Sequence, residues 1–225
     1  MANLPTHRCR NAESLMVHGS IRLLLLLAAT VSMAACSSAP AVRYHTLMPA
    51  DMPVRVPGAA PPSAQLAIVL EPIRVPAQVD QPQWLVRLAD GSLAVLEQDR
   101  WASALSDELR QALREQLIAG FGASEARPAA GIGTIRIGVD VRRFDSVFAK
   151  EARIEGTWTL GVGDAGAARV TRCDWFLREP AGSGSPSLAA AHRRAVARLG
   201  DAIGAALSKF SRNEPVICPA VDAAV

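Results

Sequence analysis

Residues 135–162 read IRIGVDVRRFDSVFAKEARIEGTWTLGV and carry the clearest structural signal of the chain. Apolar side chains alternate with polar ones over residues 135–141 and again over residues 154–162. Successive side chains of a β-strand point to opposite faces, so this period of two predicts two half-buried strands. Each strand then has one apolar face that another layer of the protein must cover.

Two amphipathic stretches, one on each side of these strands, can provide that cover. Upstream, Leu105, Leu109, Leu113 and Leu117 recur every four residues and share one face of a helix. Downstream, small and apolar residues recur with helical spacing over residues 187–210. We therefore expect an α+β fold in a single domain, with a mostly antiparallel or mixed β-sheet and two long amphipathic helices packed on one face.

Shorter signals add further strands to the sheet. The continuous apolar run at residues 66–73 is typical of a buried strand, and residues 169–177 predict another. Two strand-like runs flank Asp90-Gly91, a dipeptide that favours tight hairpin turns. The sequence contains no internal repeat.

The N-terminal segment has the layout of a secretory signal. Arginines precede an apolar run at residues 23–31, and Met33-Ala34-Ala35 precede Cys36. The run is too short to span a bilayer and ends in small residues, as signal peptides do. A cysteine directly after the cut resembles the lipobox of bacterial lipoproteins, in which the cysteine is acylated; the alternative is a plain cleavable signal. The long stretch before the apolar run leaves two start codons open, Met1 and Met16.

Composition excludes several classes of protein. Half of the 225 residues are hydrophobic and the formal net charge is +3, which excludes a disordered chain. A polytopic membrane protein is excluded because only one apolar run approaches spanning length. Residues 1–35 hold three of the 24 basic residues and one of the 21 acidic residues, so the net charge after cleavage is about +1. We therefore expect no nucleic-acid partner.

The sequence divides into three parts. Residues 1–35 form the expected signal peptide. Residues 36–62 are the acylated cysteine and a Pro-rich tether that contains one short strand-like run. Residues 63–225 form the expected α/β domain, which is long enough to bury a stable core without a cofactor.

The four cysteines differ in their expected roles. Cys9 lies before the cut and Cys36 carries the expected acyl chains, which leaves Cys173 and Cys218. An even pair in a chain exported to an oxidising compartment is most simply interpreted as a disulfide, which would attach the C-terminal tail to the strand around Cys173. Two thiols without a nearby histidine do not make a zinc site, so we expect no metal.

No arrangement of residues indicates catalysis. Residues 161–166 match the letters of a dinucleotide fingerprint, but a strand and not a helix follows, so they predict a hairpin turn. Ser185 lacks the spacing of a nucleophile elbow. After the cut the histidines are His45 and His192, and neither can be joined by sequence to a nucleophile and an acid. We expect a protein that is not an enzyme; a periplasmic hydrolase is the less favoured alternative.

Several short segments, taken in order, resemble the PqiC-type auxiliary lipoproteins of intermembrane lipid transport systems. The resemblance begins at Cys36 and covers nearly all of the chain that follows. Each segment alone is weakly specific, but their order and spacing behind a lipobox make the resemblance specific. The segments are Tyr44-His45-Thr46-Leu47, Val75-Pro76-Ala77-Gln78-Val79-Asp80-Gln81-Pro82-Gln83, Asp99-Arg100-Trp101-Ala102 followed by Leu105-Ser106-Asp107-Glu108-Leu109, and Ala191-His192-Arg193-Arg194-Ala195.

The resemblance implies an outer-membrane lipoprotein that faces the periplasm. Ser37, rather than Asp, follows the cysteine, which in bacterial lipoproteins accompanies release to the outer membrane. Relatives accompany MCE-domain proteins, which form phospholipid conduits from the inner membrane, and the lipoprotein receives the distal end of the conduit, as a ring-shaped homo-oligomer. The implied function is that of a non-enzymatic accessory subunit of a transport system. The alternative is a structural lipoprotein that stabilises an envelope complex without handling lipid.

Four residues are candidates for contact with a partner. Trp84 and Trp101 flank the hairpin and the first helix; core packing is the first interpretation and partner contact the alternative. Asp80 either caps a turn or contacts a partner. His192 is expected at the edge of the buried stripe of the last helix, as a core-edge or interface residue. A solvated open sheet face is expected for a further set of arginines: Arg136, Arg142, Arg143 and Arg153.

Overall fold

The part of the chain that the structure describes is a set of four segments. The computed structural model describes residues 40–49, 66–125, 134–162 and 169–218. The expected signal peptide and Cys36 lie outside the described residues. The chain divides into the units Met1–Ala41 and Val42–Val225, and every element named below belongs to the second.

The described residues form eight strands and two helices, which confirms the expected α+β fold. In chain order the elements are β1 Arg43–His45, β2 Leu66–Leu70, β3 Gln83–Arg87, β4 Leu93–Trp101, α1 Leu105–Phe121, β5 Ala123–Glu125, β6 Ile135–Val147, β7 Glu151–Val162, β8 Arg169–Pro180 and α2 Ser185–Ser211. The two half-buried strands predicted within residues 135–162 are β6 and β7, the long strands at the middle of the sheet.

Strand β6 is the centre of one mixed sheet. On one edge it pairs antiparallel with β7, which pairs antiparallel with β8. On the other edge the beginning of β6 pairs parallel with β2, and its last residue, Val147, pairs with Arg87 of β3. Strand β2 continues the sheet to β5, and β3 continues it through β4 to β1, so the sheet curls into a half-barrel.

The apolar alternation of β6 changes phase once along the strand. Up to Val141 the odd-numbered residues are buried, whereas Phe144 and Ser146 are buried beyond it. The cause is a β-bulge immediately after Val141, where the pairing with β7 shifts by one residue. Gly156 lies opposite the bulge, and a Cβ there would stand 2.1 Å from the carbonyl oxygen of Asp140, so this position requires glycine.

The two helices pack against each other, and α2 covers β7 and β8. Glycines of α2 make the close helix contact possible. A Cβ at Gly200 would lie 2.5 Å from Cγ of Gln116, and a Cβ at Gly204 would lie 2.2 Å from the ring of Phe121. The core lies between the apolar stripes of the helices and the inner face of the sheet, with Trp158 among its largest fully buried side chains.

The short strand that was expected within the tether belongs to the sheet. It is β1, and it pairs in parallel with the last residues of β4. Among the described residues, β1 at Arg43–His45 is therefore the first element of the sheet. In sequence, residues 37–42 are all that separates this strand from Cys36.

Candidate functional site

A buried carboxylate holds strand β1 in place. Asp99 of β4 is 3% exposed. Arg43 donates to it through Nε at 3.0 Å and Nη2 at 2.8 Å, His45 Nε2 lies 2.7 Å from its Oδ1, and Ser185 Oγ donates to the same oxygen at 2.7 Å. Because Arg43 and His45 belong to β1 and Ser185 begins α2, this one carboxylate connects three elements.

The partners of Asp99 determine its charge. Burial is the largest single influence and raises the pKa of this carboxyl, but hydrogen bonds from Arg43, His45 and Ser185 and the charge of Arg43 act in the opposite direction. Together they outweigh burial and hold the pKa of Asp99 below its ordinary value. The hydrogen bond to Asp99 and the attraction of its charge also raise the pKa of Arg43. The carboxylate is therefore ionised at neutral pH.

A second buried carboxylate fixes the residues just after β1. Glu108, in the first turn of α1, is 4% exposed. Its Oε2 accepts hydrogen bonds from Thr46 Oγ1 at 2.7 Å and from the backbone N–H of Leu47 at 2.9 Å, and its Oε1 accepts one from Ser103 Oγ at 3.0 Å. Arg193 of α2 donates to the carbonyl oxygen of Thr46 at 3.3 Å. Strand β1 and the two residues after it are thus attached to β4 and to both helices.

Three of the four partner-contact candidates lie together in the core. The ring centroids of Trp84 and Trp101 are 4.5 Å apart, and the ring of His192 lies 6.1 Å and 6.0 Å from them. The exposed fractions of Trp84, Trp101 and His192 are 1%, 4% and 0%. Burial favours the core-packing interpretation of the tryptophans and places His192 within the core rather than at its edge. As folded, these side chains offer almost no surface to a partner.

A serine and a histidine also meet in this cluster. Trp84 Nε1 donates to Ser146 Oγ at 2.7 Å, which leaves the serine hydroxyl to donate to His192 Nε2 at 2.8 Å. Burial lowers the pKa of His192 to about 3, because the imidazolium has no solvation there. Among the described residues, Nδ1 of His192 has no hydrogen-bond partner. This imidazole is neutral and buried, as is the hydroxyl beside it, so as folded neither group is accessible to a substrate.

The outward face of β1 and β4 lines a cavity of about 370 Å³. Tyr44 and Arg100 are paired residues of the two strands and both line it. Asp80, the fourth partner-contact candidate, is exposed and lines the same cavity. The Nε atom of Arg100 is buried and has no hydrogen-bond partner in the part of the chain that the structure describes. Within the described segments, no ion pair is found for Arg100 or for Asp80.

The structure joins Cys173 and Cys218 in the expected disulfide. Cys173 lies on the buried face of β8, opposite Trp158 of β7. The bond attaches the segment after α2 to the sheet, as the sequence predicts. Cys36, the expected acylation site, lies outside the described residues.

The arginines expected on the open sheet face all have acidic partners. The pairs of Arg136 and Arg142 are exposed and fit the expected solvated surface, where such pairs contribute little to stability, whereas the pair of Arg153 is largely buried. The pairs are Arg136 with Glu71, Arg142 with Asp174, Arg143 with Asp145 and Glu155, and Arg153 with Glu151.

No three His, Cys, Asp or Glu side chains in the described ranges are grouped so as to hold a metal ion. None of the helices described here combines the length and the apolar character that a membrane span requires. What the described segments offer is therefore a polar attachment of β1, a buried Ser–His pair and a charged cavity.

Sequence reasoning did not single out Asp99. In β4 the residues 93, 95 and 97 are exposed, but 99 and 101 are buried. The phase changes because the pairing of β4 with β3 shifts between Gln83 and Trp84. A change of phase is not visible in the local alternation of residues. The one available signal was that Asp99 stands in a segment that carries the family resemblance.

Comparisons with known proteins agree with the fold. Residues 45–204 match the family described as ABC-type transport auxiliary lipoprotein component. The crystal structure of a Xanthomonas campestris protein of the family DUF330 is similar at 22% identity and a TM-score of 0.54, covering 76% of this chain and 98% of that one. The crystal structure of an uncharacterized protein is similar at 18% identity and a TM-score of 0.56, covering 73% of this chain and 97% of that one. At these identities the two structures show the fold alone.

A search of the curated proteins finds no match to this chain. The family match nevertheless spans well over half of the sequence: it begins at His45, the last residue of β1, includes all of α1 and ends at Gly204 within α2. The chain belongs to the family of ABC-type transport auxiliary lipoprotein components.

Proposed function

We propose that this chain is an outer-membrane lipoprotein that faces the periplasm and docks the distal end of an MCE-type phospholipid conduit as a non-enzymatic accessory subunit. Three observations support the proposal: the membership of the family, the signal segment that ends at Cys36, and the resemblance to PqiC-type lipoproteins. Ser37 after the cysteine supports the outer membrane rather than the inner one. A ring-shaped homo-oligomer is part of the same proposal.

The observation that carries the proposal is the attachment of β1. Asp99 and Glu108 hold β1 and the residues after it, so the chain is attached to the sheet from Arg43 onward. Only residues 37–42 separate Cys36 from Arg43, and an extended chain spans at most about 25 Å over this distance. An acylated Cys36 therefore keeps the domain close to the bilayer, where a weak contact with a conduit suffices because the effective concentration is high.

The serine and the histidine that meet in the described segments are not accessible to a substrate. The one Ser–His contact in the described segments joins Ser146 and His192, and both are buried. A hydrolase needs its nucleophile within reach of the substrate. Nothing in the described segments therefore favours the hydrolase alternative.

Removal of the acylation site tests the proposal directly. The variant Cys36→Ala should move from the outer-membrane fraction to the soluble periplasmic fraction, because the acyl chains are the proposed anchor and two or more chains hold a protein stably on a membrane. The matched control is Cys9→Ala, upstream of the cut, which should leave the distribution unchanged. If Cys36→Ala stays in the outer membrane and supports normal membrane integrity, the proposal fails.

Purification from outer membranes separates the proposal from its alternatives. We expect an MCE-domain protein and phospholipid to copurify with the chain, as measured by protein and lipid mass spectrometry. An MCE partner without phospholipid would favour the structural envelope role. Turnover of ester substrates by the purified chain, abolished by Ser146→Ala, would favour the hydrolase.

A further inference from the structure

We propose that the cavity lined by Tyr44, Asp80 and Arg100 binds a zwitterionic phospholipid headgroup, with the phosphodiester at Arg100 and a primary ammonium group at Asp80. This inference rests on the proposed role in phospholipid transport and adds a defined site to it. The site lies on the outward face of β1 and β4, on the opposite side of these strands from Asp99.

Two opposite charges line the cavity without meeting. Arg100 and Asp80 share this space, yet no contact within 4.0 Å joins their charged atoms. In the described segments neither has another charged partner. A guanidinium and a carboxylate that share a cavity attract each other, so their separation leaves room for a group that carries both charges. A zwitterion satisfies both at once, whereas a simple anion would leave Asp80 as a repulsive neighbour.

Arg100 has the properties that phosphate recognition requires. Its planar guanidinium presents donors in a fixed fork that matches the oxygens of a phosphate. Its Nε is buried and has no partner among the described residues, so the protein leaves a donor unsatisfied at this point. A buried donor without an acceptor is unfavourable, and a bound phosphate oxygen would supply the missing acceptor.

Tyr44 and the size of the cavity fit the same ligand. Tyr44 is 65% exposed and lies beside Arg100 across the β1–β4 pairing, so its ring forms an aromatic wall on which an ammonium group can rest. The cavity measures about 370 Å³, within the usual range of small-molecule sites, roughly 300 to 1,000 Å³. The volume suits a headgroup and not a complete phospholipid, so the acyl chains would stay outside.

The short sequence distance between Cys36 and the cavity residue Tyr44 favours a membrane lipid as the ligand. Tyr44 lies eight residues after Cys36, and eight extended residues span at most about 29 Å. If Cys36 is acylated as proposed, the cavity cannot move beyond this reach from the anchored residue. Headgroups are the most concentrated phosphate compounds at that location.

Titration of the isolated protein with soluble headgroup analogues tests the inference. The full acylated chain, purified in an uncharged detergent, is titrated with sn-glycero-3-phosphoethanolamine in a calorimeter, and we expect saturable binding. Arg100→Gln should weaken binding about tenfold or more, the effect of losing a hydrogen bond to a charged group. Asp80→Asn should weaken it by a similar factor but should strengthen the binding of glycerol 3-phosphate, because the repulsion between the carboxylate and the anion is then removed. The matched control Arg74→Gln changes an exposed arginine outside the cavity and should have no effect.

Several outcomes would overturn the inference. Inorganic phosphate that binds as tightly as the analogue would indicate a simple anion site. Dihexanoyl lipids that bind equally with every headgroup would indicate apolar binding. No binding of any analogue to the folded chain would assign the cavity to protein contact. Should Arg100→Gln fail to fold, the exposed Asp80 still permits the test through Asp80→Asn. The titration contains no MCE protein, so its result does not depend on whether the docking proposal is correct.

Discussion

Asp99 and Arg100 are consecutive residues of β4 that face opposite sides of the strand. Asp99 is buried and accepts hydrogen bonds from Arg43, His45 and Ser185. Arg100 lines an open cavity, and its buried Nε has no partner in the described segments. The fold therefore supplies hydrogen-bond partners to Asp99, whereas among the described residues it supplies none to Nε of Arg100.

The difference between Asp99 and Arg100 distinguishes a polar group that stabilises the fold from one that can bind a ligand. A buried charge whose partners are all provided by the fold holds elements together and leaves no capacity for a ligand. A charge that lines a cavity and lacks a partner contributes little to folding but is ready to bind. Substitutions on the two sides should therefore change different properties, stability on the inner side and ligand binding on the outer side.

The largest effect is expected at Asp99. Asp99→Ala should lower the free energy of unfolding by about 3 kcal/mol, because His45 and Ser185 then lose their acceptor inside the protein. Urea denaturation followed by tryptophan fluorescence measures the change. If Arg100→Gln destabilises the protein as strongly as Asp99→Ala, the distinction between the two sides of β4 is wrong.

A similar but smaller effect is expected at Glu108. Glu108→Gln replaces one of two accepting oxygens by a donor, and we expect a loss of about 2 kcal/mol, typical of a buried group left unsatisfied. Its neighbour Asp107 is exposed in the same helical turn, so Asp107→Asn is the matched control and should cost less than about 0.7 kcal/mol. Hydrogen exchange of the Leu47 N–H should accelerate in Glu108→Gln but not in Asp107→Asn.

The buried histidine should make stability depend on pH. The pKa of His192 is about 3 in the folded chain against 6.5 when unfolded, so the unfolded chain takes up the proton first as the pH falls below about 6.5. Stability is then lost progressively from pH 6.5 towards pH 3, by about 2 kcal/mol at pH 5. In His192→Gln the free energy of unfolding should depend less steeply on pH between pH 7 and pH 5, as measured by denaturant titrations. An equal pH dependence of the unfolding free energy in the unchanged chain and in His192→Gln would contradict the burial of a neutral imidazole.

The smallest effect on stability is expected at the cavity. Arg100→Gln and Asp80→Asn should each change the free energy of unfolding by less than about 0.5 kcal/mol, as surface substitutions without partners usually do. The same denaturation experiment measures both. A marked loss in either variant would mean that the residue supports the fold, and would weaken its assignment to the headgroup site.

Local patterns in the sequence predicted most of the secondary structure, although not the short strand β5. The strands β6 and β7 follow from a period of two, and α1 follows from leucines four residues apart, because side-chain direction repeats along a regular backbone. The pair Cys173 and Cys218 could be joined without a structure because few cysteines remain after the signal segment. The signal segment stays a prediction from composition and order, because it lies outside the described residues.

The sites depend on contacts that no local pattern contains. Bulges after Val141 and at the start of β3 reverse which residues of β6 and β4 face the core, and they arise only when strands pair. Arg43 meets Asp99 across 56 residues of sequence, and this contact makes β1 part of the fold rather than of the tether. The cavity beside Arg100 likewise needs the register of β1 against β4. Strand register and burial are properties of the assembled sheet, so the tertiary structure alone determines which charged residues are satisfied and which remain available.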